Sequence, residues 1–256
     1  MFWRVPEFIG GKNGPRAAKR QAAKPVKRLH TAELFGHTAD MEGDASNLAR
    51  RLGVVLLAAG SSRRMERPKL LLPWGGTSIA GHQIALWNDL GAKQIALVCA
   101  AGDAAMRAEL DRIDFPAENR IVNHAPQQGM FSSIRCAARW AGWTTGLTHW
   151  AITLGDQPHL RPETLRALLE CAATHPGKVW QPRCHGHFRH PVLMPKTVFL
   201  QLGDTPETTL KDFLGKLPEN AAGCDVDDPG LEQDIDTPAD YEKALALYTS
   251  RQNSSS

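Results

Sequence analysis

The chain is poor in the features that would assign it to several large protein classes. Its five cysteines (Cys99, Cys136, Cys171, Cys184 and Cys224) are odd in number and widely spaced, with no C-x-x-C pair. That spacing excludes a dense disulfide framework and ribbon-type structural zinc motifs, and favours a reducing, cytoplasmic compartment. No apolar run approaches the ~20 residues of a membrane-spanning helix. The net charge of +3 gives no electrostatic reason to expect a nucleic-acid partner. Neither G-x-x-x-x-G-K-[ST] nor G-x-G-x-x-G occurs, so the P-loop and the dinucleotide fingerprint are both missing.

What remains is an ordinary globular composition, 42% hydrophobic over 256 residues, long enough to bury a core and host a cleft. Residues 1–50 stand apart. They include GGKNGPRAAKRQAAKPVKR, basic and without apolar periodicity, and read as a flexible basic extension. A secretory signal would need an apolar stretch of about 7–15 residues, which this segment lacks. The extension is either an unstructured tail or the product of a start upstream of Met41. The expected domain spans 51–250, and 251–256 reads as a disordered tail.

From residue 51 strand and helix signals alternate. Continuous apolar runs at 54–59, 95–101 and 150–154 read as buried strands, with shorter ones at 120–124, 179–182 and 190–195 and a strand ending at 225–228. Helical patterns lie at 103–113, 130–141, 161–174, 206–215 and 237–248. A further helix, capped by Thr77 or Ser78, carries Ile79, Ile84, Trp87 and Leu90 at a 3.6 period and stops at Gly91. The alternation predicts an α/β fold, a doubly wound, mostly parallel, Rossmann-like sheet in a single domain.

The most informative segment is LAAGSSRRMERPKLLLPW, residues 57–74. A buried strand ends in Leu57, Ala58, Ala59 and Gly60, and the chain turns through Ser61 and Ser62. Small residues there let the backbone approach a ligand, and successive N–H groups can cradle phosphate oxygens. Arg63, Arg64 and Lys69 add positive charge at a strand's carboxyl end, where open α/β sheets bind ligands. The run resembles the signature L-A-A-G-x-S-x-R-M-G-x-P-K-L-L-L-P of the MobA-like NTP transferases, with Glu66 in place of the usual Gly. The resemblance implies a nucleotidyltransferase in which Arg64 and Lys69 clamp a triphosphate and Leu57 to Gly60, Ser61, Ser62 and Arg63 contribute to nucleotide binding.

Gly155-Asp156-Gln157-Pro158 follows the strand at 150–154, which puts a carboxylate on the rim of the sheet. Mg²⁺ or Mn²⁺ carried by a nucleotide is held by one or two such carboxylates with phosphate and water. Asp156 reads as catalytic and metal-binding. DIDTPADY (234–241) is similar to the family's D-I-D-T-P element, which implies a second metal ligand, Asp236 first and Asp234 close behind. Asp240 reads as a helix-start residue.

NHAPQQGMFSSIRCA (123–137) resembles the family's N-P-x-x-x-x-G-x-x-x-S pattern, with His124 in place of Pro. Gly129, Ser132 and Ser133 are the candidates for nucleotide contact, the serines serving either the base or the helix start. Leu-Ala-Ala-Gly and the P-K-L-L-L-P-W run resemble the cytidylyl rather than the guanylyl branch. Arg189-His190-Pro191-Val192-Leu193 matches that branch's G-H-P-V-L-F element, which puts His190 and Pro191 at the acceptor. Arg183, His185 and His187 extend it as a cationic rim. His185, His187 and His190 together could hold a metal, or lie on a hairpin tip. The resemblance implies transfer of CMP from CTP to a molybdopterin-type cofactor, the product passing to a molybdoenzyme. Alternatives are GTP or another NTP with a different phosphorylated acceptor, or a noncatalytic carrier.

Overall fold

The structure, a computed structural model, describes residues 38–60, 65, 67–217, 219 and 221–254, with side chains from 43 to 251. The elements are α1 (Thr38–Ala49), β1 (Leu52–Leu57), β2 (Pro73–Trp74), β3 (Thr77–Ser78), α2 (Ile79–Asp89), β4 (Gln94–Ala100), α3 (Ala104–Arg112) and β5 (Arg120–Asn123). They continue with α4 (Met130–Arg139), β6 (His149–Leu154), α5 (Pro162–Thr174), β7 (Val179–Cys184), β8 (His187–Phe188), β9 (Val192–Pro195), α6 (Lys196–Gln201), α7 (Leu210–Gly215), β10 (Ala221–Asp225) and α8 (Pro238–Ser254).

The main sheet runs β10-β7-β9-β6-β1-β4-β5, with β8 paired to β7. β1 is parallel to both β4 and β6, β4 to β5, and β7 to β10, whereas β9 runs antiparallel between β6 and β7. This is the expected doubly wound, mostly parallel sheet. β1 is buried on both faces, hence its uninterrupted apolar sequence. Leu52, Val54 and Leu56 point into one core with Ile79, Trp87, Met106, Leu110, Leu165 and Leu168. Val55 and Leu57 point into the other, with Phe131, Ile134, Phe199 and Phe213.

Three boundaries differ from the sequence reading. The basic extension was expected to reach residue 50, yet 38–49 form α1, whose Leu48 and Ala49 are buried in the first core; residues 1–37 lie outside the described residues. The strand expected to end at 225–228 is Ala221–Asp225, and Asp228 instead caps the tight turn Pro229–Glu232. Fully buried, Asp228 accepts from the N–H groups of Gly230 and Arg161, both at 3.0 Å, and from Thr164 Oγ1 at 2.7 Å. The tail expected from 251 is helical through Ser254, because α8 continues past residue 250. Among the described residues no helix is long and apolar enough to cross a membrane.

Candidate functional site at the carboxyl ends of β1 and β6

Strand order reverses at β1, whose sequence successors β4 and β5 lie on one side while β6 lies on the other. Diverging connections leave a crevice at such a switch point. Leu57 and Leu154 end the paired strands in register, and a cleft of about 1200 Å³ opens beyond them. Leu57, Ala59, Gly60, Lys69, Gly129, Ser133, Asp156 and Asp236 all line it. Of the loop between, Ser61, Ser62, Arg63, Arg64 and Glu66 lie outside the described residues. Ala58 is buried and its N–H is spent on the Val98 carbonyl at 2.9 Å, so it serves the sheet.

The chain re-enters the cleft at Pro68 and a tight helical turn, Lys69–Leu71, anchored by buried Leu70. Tyr241 Oη donates to the Pro73 carbonyl at 2.6 Å, and the Tyr248 and Trp74 rings pack with centroids 5.1 Å apart. α8 thereby holds the segment that presents Lys69. Lys69 Nζ donates to Asp156 Oδ2 at 2.5 Å and to Asp236 Oδ1 at 3.3 Å, with all three side chains partly shielded from solvent.

Each carboxylate has its own support. Gly155 donates its N–H to the Leu57 carbonyl, which ties Asp156 to the end of β1. Asp240, the expected helix-start residue, accepts from the Thr237 N–H at 2.8 Å, the Thr237 hydroxyl at 2.7 Å and the Asp236 N–H at 3.3 Å. The Thr237 hydroxyl bond, with the backbone donors behind it, holds the Asp240 carboxyl below its ordinary range. Asp236 is thus fixed by the cap of α8, and the Ile235 N–H reaches the Asp156 carbonyl at 3.2 Å. Asp234 is turned elsewhere, accepting from Gln157 Nε2 at 2.8 Å, and does not line the cleft. Among the described residues Asp156 Oδ1 is buried with no hydrogen-bond partner. An acceptor-only oxygen left this way fits a site built to receive a cation.

On the opposite wall, Asn123 ends β5 and is buried. Its Nδ2 donates to Ser132 Oγ at 2.8 Å and Ser133 Oγ at 2.9 Å, while its Oδ1 accepts the Ala125 N–H at 2.8 Å. Ser132 and Ser133 are therefore engaged in holding the turn, and of the two only Ser133 lines the cleft. Gly129 has φ 88 and offers no side-chain cap, so α4 begins at the cleft wall, lined there by Gly129 and Met130, without a capping side chain. Asn123 escaped the sequence reading, although it heads the very motif quoted there. Ala100 at the end of β4 and Ala101, Gly102 and the α3 cap Asp103 after it also line the cleft, with no sequence signal of that placement.

The expected cationic rim is charge-compensated. Arg183 pairs with Asp225 through Nε at 2.5 Å and Nη2 at 2.6 Å, and Arg189 and His185 both meet Glu232. The three histidines do not converge. His185 sits in the β7–β8 turn, His187 is exposed, and His190 lies inward with Nδ1 3.2 Å from the Ile152 carbonyl. Burial lowers the His190 pKa, against the Ile152 carbonyl and the negative charge of Asp156 and Asp234. His190 is thus a neighbour of the acidic cluster, but neither it nor buried Pro191, the two expected acceptor residues, lines the cleft.

Residues 54–221 match the family model described as the MobA-like NTP transferase domain. The molybdenum cofactor cytidylyltransferase of Escherichia coli (strain K12) is 26% identical over 198 residues, covering 76% of this chain and 96% of that protein. The bifunctional protein GlmU of Streptomyces avermitilis is 35% identical over 128 residues. That match covers 49% of this chain but only 25% of the relative, so the chain spans about a quarter of the length of this GlmU. Among solved structures, Rv0371c from Mycobacterium tuberculosis H37Rv in complex with manganese superposes with a TM-score of 0.54 at 25% identity, covering 77% of this chain and 98% of that one.

Proposed function

Because the chain belongs to the MobA-like NTP transferase family, we propose that it moves CMP from CTP onto the phosphate of a molybdopterin-type cofactor and releases pyrophosphate. The observation that carries the reading is the convergence of Lys69, Asp156 and Asp236 in one cleft at the sheet's switch point. The similarity to the E. coli cytidylyltransferase over nearly its whole length supports the choice of nucleotide and acceptor.

In this reading Lys69 exchanges its carboxylate partners for phosphate oxygens, a role suited to a compact ammonium on a flexible stem. Arg64 and the amides from Ala59 to Ser62 would complete the triphosphate cradle with Arg63, the Ala58 N–H being committed to the sheet. Asp156 and Asp236 would hold Mg²⁺ or Mn²⁺, with Asp234 behind them; when bound, the cation supplies neutralising charge to the phosphates. The Gly129 end of α4 and Ser133 would face the nucleoside, and His190 and Pro191, behind the cleft wall, would support the acceptor side. The acceptor phosphate attacks the α-phosphorus in line, the bond to the β-phosphate oxygen breaks, and pyrophosphate leaves with the electron pair. The chain's contribution is positioning and charge compensation, with no covalent intermediate. An acceptor phosphate ionised at neutral pH needs no general base. The product would then pass to a molybdoenzyme, consistent with a cytoplasmic protein without nucleic-acid or membrane partners.

The GlmU matches favour a second reading, the same chemistry on a different phosphorylated acceptor. Pyrophosphate release with each of the four NTPs, with and without molybdopterin, separates them. CTP turnover that requires molybdopterin supports the first, and turnover that requires a sugar or alcohol phosphate in its place supports the second. Turnover with GTP alone would select the guanylyl reading, and nucleotide binding without turnover on any acceptor would select a carrier.

A further inference from the structure

A second cluster of atoms able to ligate a metal lies at the β7–β8 hairpin. Cys184 Sγ, a nitrogen of His185 and a carboxylate oxygen of Glu232 all lie within 4.8 Å of one another. The individual distances are informative. Cys184 Sγ is 3.5 Å from His185 Nδ1, and His185 Nδ1 is 3.3 Å from Glu232 Oε2. Zinc bonds of about 2.3 Å to sulfur and about 2.0–2.1 Å to nitrogen and oxygen, at tetrahedral angles, set ligand–ligand edges of about 3.6 Å for S···N and about 3.4 Å for N···O. The two observed distances match those edges.

Hydrogen bonding alone leaves one of these contacts unexplained. An imidazole Nδ1 has a single in-plane position, so it either donates a proton to Glu232 or accepts one from the Cys184 thiol. A cation between them is served by all three groups, as thiolate, lone pair and carboxylate. The remaining Glu232 oxygen, Oε1, accepts from Arg189 Nη2 at 3.1 Å, which orients Oε2 as second-shell donors orient metal ligands. His185 holds its place at φ 47, a left-handed conformation unusual for a non-glycine residue, in the two-residue turn completed by Gly186. His187 pairs directly with Cys184 across the hairpin, so the two side chains leave the same face.

We propose that Cys184, His185 and Glu232 form a binding site for a borderline-soft divalent cation of the Zn²⁺ class, with exposed His187 or water as the fourth ligand. Binding forms a metal–thiolate bond and releases the Cys184 thiol proton to solvent. The ion would join the β7–β8 hairpin to the segment that runs from Glu232 to Asp236. Sulfur and imidazole ligation separates it in chemistry from the all-oxygen Asp156–Asp236 site, which suits Mg²⁺ or Mn²⁺.

The test uses Co²⁺ as a spectroscopic probe on the full chain, freed of metal and kept reduced. A thiolate-to-cobalt absorption in the near ultraviolet should saturate at one equivalent, be displaced by Zn²⁺ and survive excess Mg²⁺. Cys184→Ser should abolish it. His185→Asn, which tolerates the left-handed turn, and Glu232→Gln alter exposed side chains and should each weaken cobalt affinity at least about tenfold. Asp156→Ala, Cys171→Ser and Cys224→Ser should leave the band in place. No band in the unaltered chain, a band that persists in Cys184→Ser, or equal affinity in both His185→Asn and Glu232→Gln would overturn the site.

Discussion

The Gly155 N–H meets the Leu57 carbonyl at 3.2 Å, and a Cβ on Gly155 would lie 2.9 Å both from that oxygen and from a methyl of Leu70. The two strands that end at Leu57 and before Asp156 therefore touch where only glycine fits, and the third neighbour is the residue after Lys69. Gly155→Ala must push apart the end of β1, the turn bearing Lys69, or Asp156 itself. Overpacking of this kind costs about 1–3 kcal/mol. A displacement of about 1 Å at the reacting groups costs on the order of a hundredfold in rate. Gly155→Ala should therefore lose far more activity in pyrophosphate release than its modest drop in Tm would suggest; unchanged turnover would contradict this account of the contact.

Asn123 is the second support. Removing its amide leaves the buried Ser133 hydroxyl and the Ala125 N–H without partners, at about 1–3 kcal/mol. Urea unfolding of Asn123→Ala should show a loss in that range. Ser132→Ala should cost less, since the Asn123 amide keeps its Ser133 partner. Nucleotide affinity should weaken in Asn123→Ala as the Gly129 end of α4 loosens.

Much of this was readable in the chain. The apolar run before Ala58-Ala59-Gly60 could only be a buried strand, and Gly155-Asp156 after a second such run placed a carboxylate on the same rim. Ser78 caps α2 by accepting the Gly81 N–H at 3.0 Å, one of the two expected caps. What was hidden depends on contacts between distant segments. Nothing local tells Val192–Pro195 to insert antiparallel between β6 and β7. α1 gives little sequence signal because, among its described side chains, the buried apolar ones are Leu48 and Ala49 at its end. Glu232 meets His185 across 47 positions, a proximity no spacing rule encodes.

Acid should destabilise the protein through its buried histidines. Burial, the largest effect, lowers the pKa of both His149 and His159, against hydrogen bonds to the Pro176 and Gly230 carbonyls respectively. Between the lowered folded value and about 6.5 the unfolded chain binds more protons, so stability rises with pH across that window. The contribution is fully present above about 6.5 and is lost as pH falls toward the folded value. Each histidine adds at most about 1.4 kcal/mol per pH unit. Tm measured from pH 7.5 down to about 5 should fall, and His149→Gln should flatten the slope. A Tm independent of pH over that range would contradict the neutral, buried state.

In the proposed mechanism Lys69, Asp156 and Asp236 form one site shared by a triphosphate and a divalent cation. The most direct measurement is Mn²⁺ affinity of the full chain with and without CTP. Binding to a shared site is reciprocal, so CTP should tighten Mn²⁺ by about 5- to 150-fold. Asp156→Asn should abolish that coupling. Lys69→Ala should bind Mn²⁺ more tightly than the unaltered chain when CTP is absent, because the competing ammonium is gone, and should lose the coupling as well. Equal Mn²⁺ affinity with and without CTP in the unaltered chain would contradict the shared site.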